Sequence, residues 1–175
     1  AEVIVKGTDS QGNFADYQFL MQVIPEPSPF LRINSGGPSY TSWMQDTHFN
    51  NGNLYSKITP IANTTDDILY HTERFGKNFS YSIPVPQQGY YRVNLHFAEI
   101  FYGIGNSGGI GARIFNVEAE DKLVLSDYDV FLKAGGPAKA IVEEVDSVLV
   151  TDGFLNLKFT AIVDNAKISA IELSN

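Results

Sequence analysis

Two stretches constrain the fold more than any others. "YYRVNLHFAEI", residues 90–100, alternates Val93, Leu95 and Phe97 with Arg92, Asn94 and His96, and "FLNLKFTAIV", residues 154–163, sets Leu155, Leu157 and Phe159 in the same rhythm. Successive side chains of an extended chain point to opposite faces, so a period of two with one apolar side predicts a strand half-buried on a core. "NFSYSIPV", "RIFNVEAE", "LVLSDYDV", "KAIVEEVDSVLV" and "KISAIEL" read as further strands. Turn residues separate them at Gly89, Glu120 with Asp121, Gly135 with Gly136, and Asp152 with Gly153. Many short strands and no helical stripe of comparable strength predict an all-β chain folded as an antiparallel β-sandwich.

The first 28 residues stand apart. They read as two strands, around Glu2 to Lys6 and Tyr17 to Ile24, joined by a turn rich in Asp9, Gly12 and Asn13. Pro25, Pro27 and Pro29 then interrupt regular pairing, since proline lacks the amide donor a ladder needs. An isolated hairpin is marginal alone. Residues 1–28 are therefore expected to be a hairpin and linker, either docked on the main domain or ending an upstream module, and residues 29–175 the main domain. The pattern "GTDSQGN…YQFLMQVI" resembles the closing hairpin of bacterial extracellular immunoglobulin-like repeats.

Charge and cysteine content exclude several functions. A formal charge of −8 disfavours nucleic acid and anionic lipid, both of which need a positive field. The absence of cysteine removes disulfides, thiolate nucleophiles and cysteine-bound zinc. No apolar run approaches the roughly 20 residues that span a bilayer. His48, His71 and His96 lie far apart in sequence, and no cofactor is expected. The Asp pair in "SDYDV" offers oxygens for a structural calcium ion, although the dense acidic loop of an EF-hand is absent.

The stretch "ILYHTERFGKNFSYSIPVP", residues 68–86, gathers Tyr70, His71, Glu73 and Arg74. A glycosidase needs two carboxylates roughly 5 to 9.5 Å apart, and Glu73, Glu99, Asp127, Asp129 and Asp164 are among 20 acidic residues from which nothing selects a pair. Glu73 beside Arg74 reads more simply as an ion pair that anchors a loop. Near the other end of the long strand, "AEIFYGIGN" sets Phe101 and Tyr102 side by side where the alternation ends, so one ring points away from the core. The glycine-rich loop "GIGNSGGIGARIF" that follows leads into a strand rather than a helix, which argues for a surface loop at the rim of a site and against a dinucleotide loop. Exposed rings beside such a loop suit the C–H face of a sugar.

Taken in order, "LRINSGGPSY", "ILYHTERFGKNFSYSIPVPQQGYYRVNLHFAEIFYG", "ARIFNVEAE" and "IVDNAKISAIEL" resemble the signature segments of malectin and malectin-like carbohydrate-binding domains over about residues 30–175. The resemblance implies a sandwich of jelly-roll type that binds a glucose-containing oligosaccharide, such as maltose or nigerose, without catalysing a reaction. It implies ligand contacts at Tyr55, Tyr70, Phe101, Tyr102 and Asp164, with His71, Glu73, Arg74 and Glu99 behind them. The order Phe-Tyr in the aromatic pair and the glycine insertion after Tyr102 depart from the animal protein and look closer to bacterial modules. A secreted, periplasmic or cell-surface location beside other covalently attached domains is expected. The alternative is a structural or protein-interaction module of a multidomain extracellular protein.

Overall fold

A computed structural model describes residues 2–8, 10–12, 14–20 and 29–175. The strands are β1 (Glu2–Thr8), β2 (Phe14–Leu20), β3 (Leu31–Asn34), β4 (Phe49–Asn50), β5 (Asn53–Ser56), β6 (Thr72–Gly76), β7 (Asn78–Pro84), β8 (Gly89–Phe97), β9 (Ile114–Ala119), β10 (Lys122–Tyr128), β11 (Ile141–Val150), β12 (Phe154–Val163), β13 (Ala166–Ile168) and β14 (Ala170–Ser174). A 3-10 turn at Asp67–Tyr70 and one helical segment, α1 (Val130–Ala134), are the helical pieces among the described residues. Pairing between these strands is antiparallel throughout.

Two sheets make the sandwich. One has the order β10-β9-β12-β7-β4 and the other β11-β8-β14-β3. The core between them is built from the alternating residues: Val93, Leu95 and Phe97 of β8, Leu155, Leu157 and Phe159 of β12, and Phe79, Tyr81 and Ile83 of β7 are each at most 3% exposed. Phe79 and Phe159 stack at 4.6 Å between centroids with planes 3° apart, an offset-ring contact worth about 1 kcal/mol beyond its buried area. The β9–β10 hairpin closes on Glu120 and Asp121, both with positive φ (49° and 59°), and Lys122 pairs with Ala119. A two-residue turn of that hand matches the twist of the strands it joins.

The third sheet, of order β13-β6-β5, positions the site. It joins the sandwich through β6, which runs into β7 after Lys77, and through β13, which lies between β12 and β14 in the chain. The run "KISAIEL", expected as one strand, is therefore two, because Ser169 marks the step from the short sheet to the four-stranded one. A second apolar cluster of Trp43, Ile61, Leu69, Tyr70, Ala98, Ile100, Ala140 and Ala170 packs with Tyr40, Tyr55 and Ala138.

The N-terminal strands pair as a hairpin from Glu2↔Leu20 to Thr8↔Phe14. Its second strand begins three residues earlier than the sequence suggests; Met21 to Ile24, expected to continue it, lie outside the described residues.

Candidate functional site

One face of the short sheet carries the side chains that matter. Tyr55 pairs with Glu73, and Phe75 pairs with Asn53 on one side and Lys167 on the other, so these residues share a face. Opposite it lies the long connection from β8 to β9, residues 98–113. Together they enclose a cleft of about 210 Å³ lined by Tyr55, Glu73, Phe75, Phe101, Tyr102, Arg113, Asp164 and Asn165.

The rings brace one another. Phe101 meets Tyr55 edge-on at 5.5 Å and Tyr102 edge-on at 5.1 Å. Their backbone is fixed from beneath: the amides of Phe101 and Tyr102 both donate to Glu99 Oε1, at 2.9 and 3.1 Å. Gly108, with φ at 136°, lies so close to the Tyr102 ring that a β-carbon there would stand 2.3 Å from it. The glycine loop, expected to rim a site, meets the aromatic pair here and through Asn106, whose Nδ2 donates to the Phe101 carbonyl at 3.3 Å.

Under the rings lies a chain of charges. Glu99 Oε2 accepts from Arg113 Nε at 2.9 Å, and Arg113 Nη1 donates to the Asn165 carbonyl at 2.9 Å and stands 3.6 Å from Asp164 Oδ2. Lys167, fully buried, donates to Glu73 and to the Ala98 carbonyl. Burial raises the Glu73 carboxyl, with Lys167 and Arg113 opposing it. Burial also pushes Glu99 upward, but Lys167, Arg113 and the two amides outweigh it and leave Glu99 below the ordinary range. Burial followed by the nearby Asp164 carboxylate raises the Tyr102 hydroxyl. Asp164 itself keeps 31% of its side chain exposed and sits in the left-handed region at φ 57°, a conformation Asp tolerates better than most residues. Asn165 Nδ2 donates to Asp164 Oδ1 at 2.9 Å, and Lys77 donates to the Asp164 carbonyl, which fixes the turn between β12 and β13.

The residues singled out from sequence divide. Tyr55, Phe101, Tyr102 and Asp164 meet in the cleft, with Glu73 at its floor and Glu99 beneath the aromatic pair. Tyr70, expected at the ligand, is a core residue instead: it is 3% exposed and does not line the cleft. Its hydroxyl lies 3.0 Å from Nδ1 of His96, whose Nε2 faces Glu172 at 3.4 Å, and burial, followed by Asp66 and Glu172, raises that hydroxyl to about 12. The 3-10 turn that ends at Tyr70 directs the ring inward. Glu73 and Arg74, expected as a pair, point to opposite faces of β6 as neighbours in a strand must. Arg74 instead binds Asp46 at 2.7 Å and the carbonyls of Asn51 and Gly52, while Glu73 takes Lys167. His71 holds the preceding loop through the Thr59 carbonyl at 2.8 Å.

Phe75, Arg113 and Asn165 line the cleft without having been predicted there. Phe75 carried a signal, since position i+2 from Glu73 in a strand shares its face. Lys167, a lone cation inside "NAKISAIEL", carried another, because a charge in an apolar strand needs a buried partner. Arg113 carried none beyond its place just before β9.

The Malectin domain family model matches residues 30–171. Malectin of Mus musculus is 29% identical over 124 residues, which cover 64% of this chain and 40% of that protein. Among solved structures, the ANXUR2 extracellular domain from Arabidopsis thaliana superposes with a TM-score of 0.71 at 16% identity, covering 83% of this chain and 48% of that one. Bacteroides uniformis β-glucuronidase does so with a TM-score of 0.67 at 19% identity, over 97% of this chain and 22% of that one. At such identities the structural likeness is one of fold. The chain spans 11% to 40% of the length of the curated relatives it matches. Its antiparallel sandwich and the match over residues 30–171 place the chain in the malectin family of carbohydrate-binding domains.

Proposed function

We propose that the domain is a non-catalytic module that binds a neutral, glucose-containing oligosaccharide in the cleft between the short sheet and the β8–β9 connection. The observation that carries this reading is the meeting of four rings, Tyr55, Phe75, Phe101 and Tyr102, with one partly exposed carboxylate, Asp164. Rings offer faces to the C–H groups of a pyranose, and a carboxylate accepts two hydroxyl hydrogen bonds stronger than those between neutral groups. The cleft holds the volume of on the order of seven waters, which suits one sugar ring with the rest of the glycan outside.

The other carboxylates argue against hydrolysis. Glu73 and Glu99 are each 1% exposed and held by Lys167 and Arg113, so in this cleft Asp164 stands without the second free carboxylate a glycosidase uses. We read residues 1–28 as a hairpin and linker to a neighbouring module, residues 29–175 as the binding domain, and the parent as a multidomain protein acting outside the cytoplasm. The ectodomain similarity and the small share of each relative that the chain spans support this arrangement.

A glycan array followed by calorimetry tests the reading. The wild type should bind glucose-containing oligosaccharides with a Kd on the order of micromolar to millimolar. Asp164→Ala and Tyr102→Ala should each weaken binding at least about tenfold, the loss of one charged hydrogen bond or one stacked ring. Unchanged affinity in both variants would contradict the site, and a wild type that retains no glycan while a protein partner co-purifies would favour the protein-interaction alternative.

A further inference from the structure

Resting on the glycan reading, we infer that Arg113 is a positioning residue that ties the two walls of the cleft together and so sets their separation. One wall is the Phe101–Tyr102 pair, whose amides hang on Glu99; the other is the Asp164–Asn165 turn. The Arg113 guanidinium reaches both, with Nε on Glu99 Oε2 at 2.9 Å and Nη1 on the Asn165 carbonyl at 2.9 Å. It also lies 5.4 Å from the Tyr102 ring centroid and 3.6 Å from Asp164 Oδ2. At 4% exposure it has little freedom to serve one wall without the other.

The chemistry of arginine explains the choice. A planar guanidinium presents donors in fixed directions and stacks on a ring, whereas an ammonium is a point charge on a flexible stem. Lysine at 113 could still neutralise Glu99, but it could not hold that carboxylate, the Asn165 carbonyl and the Tyr102 face in one geometry. The distance between ring and carboxylate would then be free to drift, and an ångström of drift is enough to cost a directional contact to a sugar hydroxyl.

The test is Arg113→Lys, with maltose and nigerose as probes in calorimetry and with amide resonances of the ligand-free protein recorded alongside. We expect the variant to fold, to bind the better of the two probes at least about tenfold more weakly, and to shift amide signals on both walls, at 101–102 and at 164–165. A role confined to packing against Glu99 would move only the first set. Binding within twofold of wild type would overturn the inference. Should Arg113→Lys fail to fold, Glu99→Gln carries the test: it keeps the shape while removing the charge that orients Arg113, and affinity must fall severalfold or the inference fails. Asp164→Ala separates the two claims. If the wild type binds and Asp164→Ala does not, while Arg113→Lys binds normally, only the role of Arg113 is lost. If the wild type binds neither probe, the glycan reading falls and the role of Arg113 with it.

Discussion

Single residues separate core from cleft in this domain. Tyr70 sits in the motif that most suggests a ligand, yet its hydroxyl serves His96 in the core. Tyr70→Phe would leave the buried Nδ1 of His96 without the hydroxyl 3.0 Å away. Thermal or urea unfolding of Tyr70→Phe should show a loss of about 1–3 kcal/mol, with glycan affinity unchanged. A loss of affinity without a loss of stability would return Tyr70 to the site. Gly108 gives the reverse case. Its positive φ and the 2.3 Å approach to Tyr102 mean that Gly108→Ala must both strain the backbone and displace the ring, so binding should weaken severalfold by calorimetry. Motif spacing could not separate these two roles. Tyr70 and Tyr102 are both tyrosines in segments that suggest a ligand, and only the local backbone, a 3-10 turn in one case and the β8–β9 connection in the other, sends one ring inward and the other to the cleft.

At the level of elements, period two was the most informative property of the sequence. It placed β8 and β12 and their buried faces, because a half-buried strand cannot hide its alternation. It also contained the answer to the Glu73–Arg74 question, since adjacent residues in β6 face apart. The short sheet was hidden for a physical reason: β5, β6 and β13 have only three to five residues each, too few for alternation to stand out, and β13 and β14 are separated by Ser169 alone. They combine apolar burial, Ala166 and Ile168 in the main core, with the buried polar contact of Lys167 and Glu73. Lys167→Ala would strand the buried Glu73 carboxylate and should cost about 3–5 kcal/mol in chemical unfolding. A cost below 1 kcal/mol would show that Glu73 is already neutral when folded, the direction in which burial drives it. Gly36 ties the loop after β3 to this sheet. At φ 73°, a β-carbon would stand 2.3 Å from the Glu73 carbonyl oxygen, so Gly36→Ala should lower the Tm more than any other alanine substitution of a glycine in the cleft region.

For the whole molecule, acid is the condition that tests the electrostatic account. The Glu172 carboxyl is drawn down to about 2, first by its hydrogen bond from His96, then against burial by Arg32 and Asn94. A carboxyl whose folded value lies below its ordinary 4.5 contributes stability above that value, and the contribution disappears as pH falls through about 2. The Tm of wild type should therefore decline between pH 4.5 and 2 more steeply than that of Glu172→Gln, and parallel curves would assign acid sensitivity elsewhere. The sandwich follows from period, and the net acidic charge from composition. The floor of the cleft does not, because Arg113, Lys167 and Glu73 are brought together by strands far apart in sequence.

The most direct test of the central claim is a nuclear magnetic resonance titration of the wild type with maltose and nigerose, following every backbone amide. The account predicts saturable shifts confined to residues 53–55, 73–75, 99–103, 113 and 164–165, with the amides around Tyr70 and His96 changing little. Saturable shifts centred on the outer face of either large sheet, with the cleft silent, would contradict it.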